Sequence, residues 1–233
     1  MRIDIITGFP RIVQAPLNES IIRQGRLKGK VDIHIHDLRD FTDDRHKTID
    51  DYPYGGGPGM VLKIEPIVKA LRRVFEQVDE QKAHIVLTSP RGKTLDQSEA
   101  VKLSLKENLV IVCGHYKGVD ERLYDFYPVQ DISIGDYVIS SGEIAALVIV
   151  DAVVRLLPGV IKDIHSAWSD SFSEDLLDAP YYTRPEEFEG RRVPDVLLSG
   201  NHQKIAAWRQ KKREEVTRER RPDLYKKYLK STK

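Results

Sequence analysis

Short apolar runs recur along the first 160 residues, separated by polar or glycine-bearing segments. Arg2–Ile6, Val31–His36, Ala83–Thr88, Leu109–Cys113 and Asp131–Ile134 have the β-branched, alternating or continuously apolar character of strands. Between them, Arg11–Gln24, Glu65–Val78 and Asp96–Glu107 carry apolar residues at helical spacing. The last opens on Asp96-Gln-Ser-Glu99, a capping sequence with an acidic first turn. Strands that alternate with helices predict an α/β domain built on a mostly parallel sheet. A further helix, Glu143–Leu157, is apolar on nearly every face and closes at Pro158-Gly159, which predicts burial in a core or a subunit interface.

After that helix the pattern changes. Val160–Ser173 has weak periodicity and many small polar residues, as a mobile linker would. Beyond it, Asn201 is placed to cap a long helix over His202–Glu219, and Arg221-Pro222 ends it. The expected organisation is a domain over 1–160, a linker over 161–172 and a small helical domain over 173–233.

Composition sharpens this in two ways. The chain has 233 residues, 40% of them hydrophobic and 31% charged, enough for a substantial core. Net charge is only +1, but residues 204–233 hold twelve Lys/Arg against four Asp/Glu, leaving +8 there and −7 on the rest. A basic tail on an acidic body points to a polyanionic partner, although a solvated helix face explains the charge equally well by itself. Cys113, the only cysteine, lies inside an apolar run and reads as packing. The start, MRIDIITGFP, lacks the long apolar core of a secretory signal, and the run Ile144–Val150 is too short to span a membrane. A soluble cytoplasmic protein is expected.

Several segments carry candidate chemistry. DYPYGGGPGM, residues 51–60, is rich in glycine, yet no Lys-Ser/Thr follows to meet a phosphate and Asp50-Asp-Tyr-Pro makes a poor preceding strand. A nucleotide hydrolase is therefore disfavoured. What remains is a backbone that turns sharply or lets a planar group approach. Three loops follow expected strands: Thr88-Ser-Pro-Arg-Gly92, Cys113–Arg122 and Ser133–Glu143. Their positions allow them to converge on one pocket. Arg155 stands four residues after Asp151, a spacing that also suits a simple ion pair. Asp170, in Ser169-Asp-Ser-Phe172, also suits a helix N-cap. His34 and His36 share a strand face without a third ligand, so no metal site is expected.

In one order along residues 1 to about 224 stand YGGGPGM, LTSPRG, CGHYKGVDER, SIGDYVISSGE, RLLPGV, DSFSEDLLDAPYYTRP, LLSGNH, WR and RRPDL. This set closely resembles the bacterial tRNA (guanine-N1)-methyltransferases, a family of the SPOUT class. The resemblance implies an α/β fold: a SPOUT-type parallel sheet with a trefoil knot in the C-terminal part of the N-terminal domain, plus the small helical C-terminal domain. It implies S-adenosyl-L-methionine as cofactor, methylation of N1 of guanosine 37 next to the anticodon of tRNA, and a homodimer with active sites at the subunit interface. Donor binding maps onto Ser89, Pro90, Gly114, Tyr116, Ile134, Gly135, Asp136, Tyr137, Val138, Ile139 and Gly142. The catalytic pair maps onto Asp170, contributed across the interface, and Arg155. Candidates for tRNA contact are Tyr54, Gly57, Gly59, Ser166, Asp178, Lys204, Arg209, Arg220 and Arg221. Three positions depart from the commonest pattern: Lys117 for glutamate, His115 for arginine and Ser141 for glycine. The glutamate is tied to magnesium dependence, so Lys117 argues against a Mg2+ role, while Asp178 leaves some room for one. A non-catalytic tRNA-binding protein of the same fold is the alternative reading, and donor binding separates the two.

Overall fold

A computed structural model describes residues 1–161, 170–172 and 174–231. It divides into two compact units, Met1–Ile164 and His165–Lys233.

The first unit is built on five parallel strands in the order β2-β1-β6-β5-β7. These are β1 (Arg2–Thr7), β2 (Asp32–Asp37), β5 (Ala83–Thr94), β6 (Asn108–Cys113) and β7 (Val129–Ser133). All five follow the apolar runs of the sequence. Alternation along each strand sends successive side chains to opposite faces. Ile3, Ile5, Val86, Leu109, Ile111 and Cys113 pack on one side, against α2 (Ser20–Leu27) and α6 (Gly142–Val154). Ile6, Ile85, Leu87, Val110 and Val112 pack on the other, against α3 (Ile64–Phe75) and α5 (Leu123–Phe126). Asp4 is fully buried and breaks this apolar pattern. Arg2 donates to it at 2.8 and 2.9 Å, and His36 Nε2 lies 2.8 Å from Oδ1.

Three local expectations are corrected. The helix expected over Arg11–Gln24 is broken into α1 (Pro10–Gln14), a 3-10 turn at Pro16–Asn18 and α2. Pro16 lacks the N–H that a continuous helix needs, and Ser20 enters α2 with φ +49°. Strand β5 does not stop at Thr88. Ile132 of β7 pairs with both Thr88 and Lys93, so Ser89–Gly92 bulge out and the strand resumes. Only glycine fits at 92, where a Cβ would sit 2.4 Å from the Asp131 carbonyl carbon. Finally, Asp50–Asp51 does form a strand, β3, paired antiparallel with β4 (Val61–Leu62), so the glycine stretch is the tip of a hairpin.

Helix α4 (Gln97–Ser104) begins as the sequence predicts, with the Asp96 side chain accepting from Glu99 N–H at 2.7 Å. Helix α6 buries Ala146, Ile149, Val150, Val153 and Val154 completely, each of the larger ones worth about 1.5–3 kcal/mol. Ile144 and Val148, one turn apart, stay 47% and 43% exposed. The second unit holds a short ribbon, β8 (Glu187–Phe188) with β9 (Arg191–Arg192), then α7 (Asp195–Leu198), α8 (His202–Arg220) and α9 (Pro222–Ser231). Asn201 caps α8, accepting from Lys204 N–H at 3.0 Å. Among the described residues, no helix is long and apolar enough to cross a membrane. The linker expected over 161–172 falls mostly outside the described residues, and so does Ser166.

Candidate active site

At the β5 bulge and the carboxyl ends of β6 and β7 the three loops singled out in the sequence surround a cavity of about 240 Å³. The bulge supplies Ser89, Pro90 and Arg91. The loop after β6 supplies Gly114 to Gly118. The loop after β7 supplies Ser133 to Gly135, Tyr137 to Ser140, and Gly142. Leu87, Ile132 and Ala145 contribute apolar floor. Of the eleven donor-binding candidates only Asp136 is not part of this lining. Thr88, Arg91 and Glu121 also line it; they fall within the loops that the sequence marks but not among the donor-binding candidates.

Backbone contact shapes the pocket. Gly142 N–H donates to Gly114 O at 2.8 Å, and Gly114 N–H donates to Thr88 Oγ1 at 2.9 Å. A Cβ on Gly114 would lie 2.4 Å from Thr88 O, and one on Gly142 would lie 2.2 Å from Thr88 Oγ1. Both glycines are therefore required by close approach. Tyr116 reaches the pocket from a left-handed backbone, φ +56°. Burial and then the nearby Asp50 carboxylate raise its phenol above the ordinary tyrosine range. Arg91 is tied to Glu121 at 3.1 Å. Lys117 also lines the cavity and makes no ion pair among the described residues.

The glycine hairpin is docked on this pocket. Lys117 N–H donates to Met60 O at 2.9 Å, Leu62 N–H to Gly118 O at 3.0 Å and Asp120 N–H to Leu62 O at 3.0 Å. Gly55, Gly56, Gly57 and Gly59 all have positive φ, and Tyr54 is fully exposed. A Cβ on Gly57 would meet open space, whereas one on Gly59 would lie 2.8 Å from Lys117 Cγ.

Of the two residues expected to be catalytic, Arg155 is not part of the pocket's lining. Arg155 caps the C-terminal end of α6 and borders a groove with Ile144, Val148 and Asp151. At 1.5 Å per residue it stands ~20 Å along the helix from Gly142. Asp170 lies in the second unit, half-buried. It acts on Tyr181, whose phenol is raised first by its 2.6 Å hydrogen bond to Asp178 and then by burial. Asp178 also accepts from Ala179 N–H at 2.7 Å. Arg209 borders a hollow lined by Tyr181, Tyr182 and Arg184, which sequence reasoning did not single out. Arg221 is held by Asp223 at 2.7 Å, while Lys204, Arg209 and Arg220 make no ion pair among the described residues. Among those residues no three His, Cys, Asp or Glu side chains are grouped to hold a metal ion. His34 and His36 are engaged with Asp32 and Asp4.

A parallel sheet with a pocket at the carboxyl side of its strands is the arrangement in which α/β enzymes bind small molecules. The chain belongs to the family described as tRNA (Guanine-1)-methyltransferase TrmD, whose model matches residues 1–227. A relative from Geobacter metallireducens, named tRNA (guanine-N(1)-)-methyltransferase, is 49% identical over 97% of this chain and 92% of its own length. Proteins of the same name from Geobacillus kaustophilus and Clostridioides difficile are 51% and 45% identical, covering 98% and 97% of this chain and 93% and 98% of theirs.

Proposed function

We propose that the protein transfers a methyl group from S-adenosylmethionine to N1 of guanosine 37 in tRNA, beside the anticodon. The observation that carries this reading is the meeting of the Ser89–Gly92 bulge, the Gly114–Gly118 loop and the Ile134–Gly142 loop around one cavity in a chain of this family. The cavity suits an adenosyl group: Leu87, Ile132 and Ala145 give it apolar lining, and Tyr116 and Tyr137 add aromatic rings. When bound, S-adenosylmethionine supplies an electrophilic methyl whose sulfur leaves as a neutral thioether.

The difficulty lies with the acceptor, because guanine N1 carries a proton. Asp170 is the general base that removes it, a contribution of roughly 10²- to 10⁴-fold. Negative charge then gathers at guanine O6, where the Arg155 guanidinium stabilises it. The guanine leaves its stack to reach the pocket, and the hairpin from Tyr54 to Gly59 forms the wall it passes.

The same reading includes a homodimer and a knotted backbone. Arg155 does not line its own chain's cavity, and the exposed stripe Ile144, Val148 and Asp151 runs along α6 towards the half-buried Arg155 at its C-cap. Two α6 helices packed antiparallel about a twofold axis bring Arg155 of one beside the first turn of the other. The contact of Thr88, Gly114 and Gly142 fits the tight threading of a knot. The basic α8 and α9, with Lys204, Arg209 and Arg220, supply phosphate contacts. Ser166 and Asp178 complete the candidate RNA contacts. Magnesium is not part of the reading: Lys117 puts a cation in the pocket and Glu121 is paired with Arg91, a poor donor set for Mg2+. Such a protein works in the cytoplasm.

Labelled methyl transfer to a tRNA transcript tests the proposal. Transfer should require guanosine at position 37 and disappear in Asp170→Ala with folding intact. tRNA binding without S-adenosylmethionine binding in the wild type would favour the non-catalytic alternative.

A further inference from the structure

Glu143 takes no part in the chemistry above, yet it is the most costly group around the pocket. Its carboxylate is fully buried in the first turn of α6. A buried carboxylate is tolerated only where its oxygens are satisfied. Oε1 accepts from the Thr7 hydroxyl at 2.5 Å, and Oε2 accepts from the Ser141 hydroxyl at 2.5 Å. Thr7 Oγ1 also accepts the Phe9 N–H at 2.8 Å, which leaves its own proton for the carboxylate. Both distances lie in the range of charge-assisted O–H···O⁻ bonds.

His115 stands third. Its Nδ1 is 3.6 Å from Oε2, too far for a hydrogen bond, and is buried with no other partner. The ring is held by Phe9, stacked at 4.4 Å, and by the edge of Tyr116 at 4.5 Å. One carboxylate therefore joins the end of β1 to the root of the loop after β7, and lies beside the His115 ring at the root of the loop after β6. His115 sits between Gly114 and Tyr116, and Ser141 immediately before Gly142. The backbone joins these two roots, with an antiparallel bridge between His115 and Ser141.

We propose that Glu143 is a positioning residue for the methyl donor, acting through the Thr7 and Ser141 hydroxyls to anchor the root of the loop after β7 to the end of β1 and so hold Gly142 against Gly114. Ser141, one of the departures from the family's commonest pattern, supplies the hydroxyl that occupies Oε2 where the imidazole does not reach. The inference rests on the reading of the cavity as the donor site.

The test is a double-mutant cycle with Ser141→Ala, Glu143→Gln and the pair, read by calorimetry with S-adenosylmethionine and by steady-state methyl transfer. Each single variant should bind the donor ~10-fold more weakly, and the pair should lose about the same ~10-fold rather than ~100-fold, because both remove one interaction. kcat at saturating donor should stay within about twofold and the KM for tRNA should not move. Ser141→Thr, which keeps the hydroxyl, should bind the donor as the wild type does. Unchanged donor affinity in Ser141→Ala, or equal loss in Ser141→Thr, overturns the proposal even if Glu143→Gln does not fold. Additive losses, or a lowered Tm with donor affinity intact, overturn it also. If the wild-type protein itself binds no S-adenosylmethionine, the donor reading falls, and this proposal with it.

Discussion

Gly142 and Gly114 touch through their backbones: the N–H of one donates to the carbonyl of the other at 2.8 Å, with no room for a methyl between them. A Cβ on Gly142 would sit 2.4 Å from Gly114 O and 2.2 Å from Thr88 Oγ1. Neither neighbour is free to retreat, since Gly114 is backbone and Thr88 holds Gly114 N–H. Gly142→Ala should therefore cost about 1–3 kcal/mol of stability by overpacking. It should also push the two donor loops apart. Urea unfolding and donor calorimetry check both effects, and wild-type donor affinity in this variant would show that the loops do not need this contact.

Two glycines of the hairpin should differ. Gly57 and Gly59 both have positive φ, so alanine at either costs about 1–2 kcal/mol in backbone strain. Space separates them. The Cβ at 57 faces open solvent, while the Cβ at 59 displaces Lys117, which lines the donor cavity. Gly57→Ala should raise the KM for tRNA and leave donor affinity alone. Gly59→Ala should impair both. Equal loss of donor affinity in the two variants would mean that the hairpin acts only as a structural turn.

The buried Asp4 makes folding sensitive to acid. Burial pushes its carboxyl up, but hydrogen bonds from His36 and Arg2 outweigh this and hold it below the ordinary aspartate range. A group depressed in the folded state stabilises it above the unfolded-state pKa. That contribution is lost as pH falls through the folded value. Asp4→Asn should cost about 3 kcal/mol or more at neutral pH, since it leaves Arg2 and His36 facing a neutral amide. Its acid loss should also be smaller than that of the wild type. Thermal unfolding between neutral pH and the range below ordinary aspartate titration decides it, and parallel curves would rule out Asp4 as the titrating group.

The strands were legible because apolar alternation is local. Ile3, Ile5 and Ile6, or Leu109 to Cys113, need no distant partner to be recognised. The break at Pro16 was legible in principle from the missing N–H, but helical spacing continues past it and hides it. The β5 bulge was not legible, since Ser89-Pro90-Arg91-Gly92 reads as a strand end and only pairing with Ile132 shows that the strand resumes. Hairpin strand β3 is likewise set by its pairing with β4, which is itself held through Leu62 to Gly118 and Asp120, rather than by its own residues. Within the site, the loop motifs marked the cavity's lining, because close approach demands glycine at fixed places. The Glu143 cluster was out of reach: a hydrogen bond from Thr7 to Glu143 spans 136 residues and leaves no spacing to read.

The placement of Arg155 makes the strongest demand on assembly. It stands at the C-terminal end of α6 and does not line the cavity formed by the Ser89, Gly114 and Ile134 loops of its own chain. If Asp170 acts across a twofold interface, two inactive variants can restore each other. Asp170→Ala keeps an intact donor cavity, and Ile134→Arg fills the cavity with a charged side chain but keeps its Asp170. Random exchange makes half the dimers mixed. Each mixed dimer joins one intact cavity to one intact aspartate, so activity should return to about a quarter of the wild-type value. Methyl transfer measured after mixing and subunit exchange reads this directly, with each variant alone as the baseline. No recovery, with exchange verified by a tag on one variant, would place Asp170 beside the cavity of its own chain.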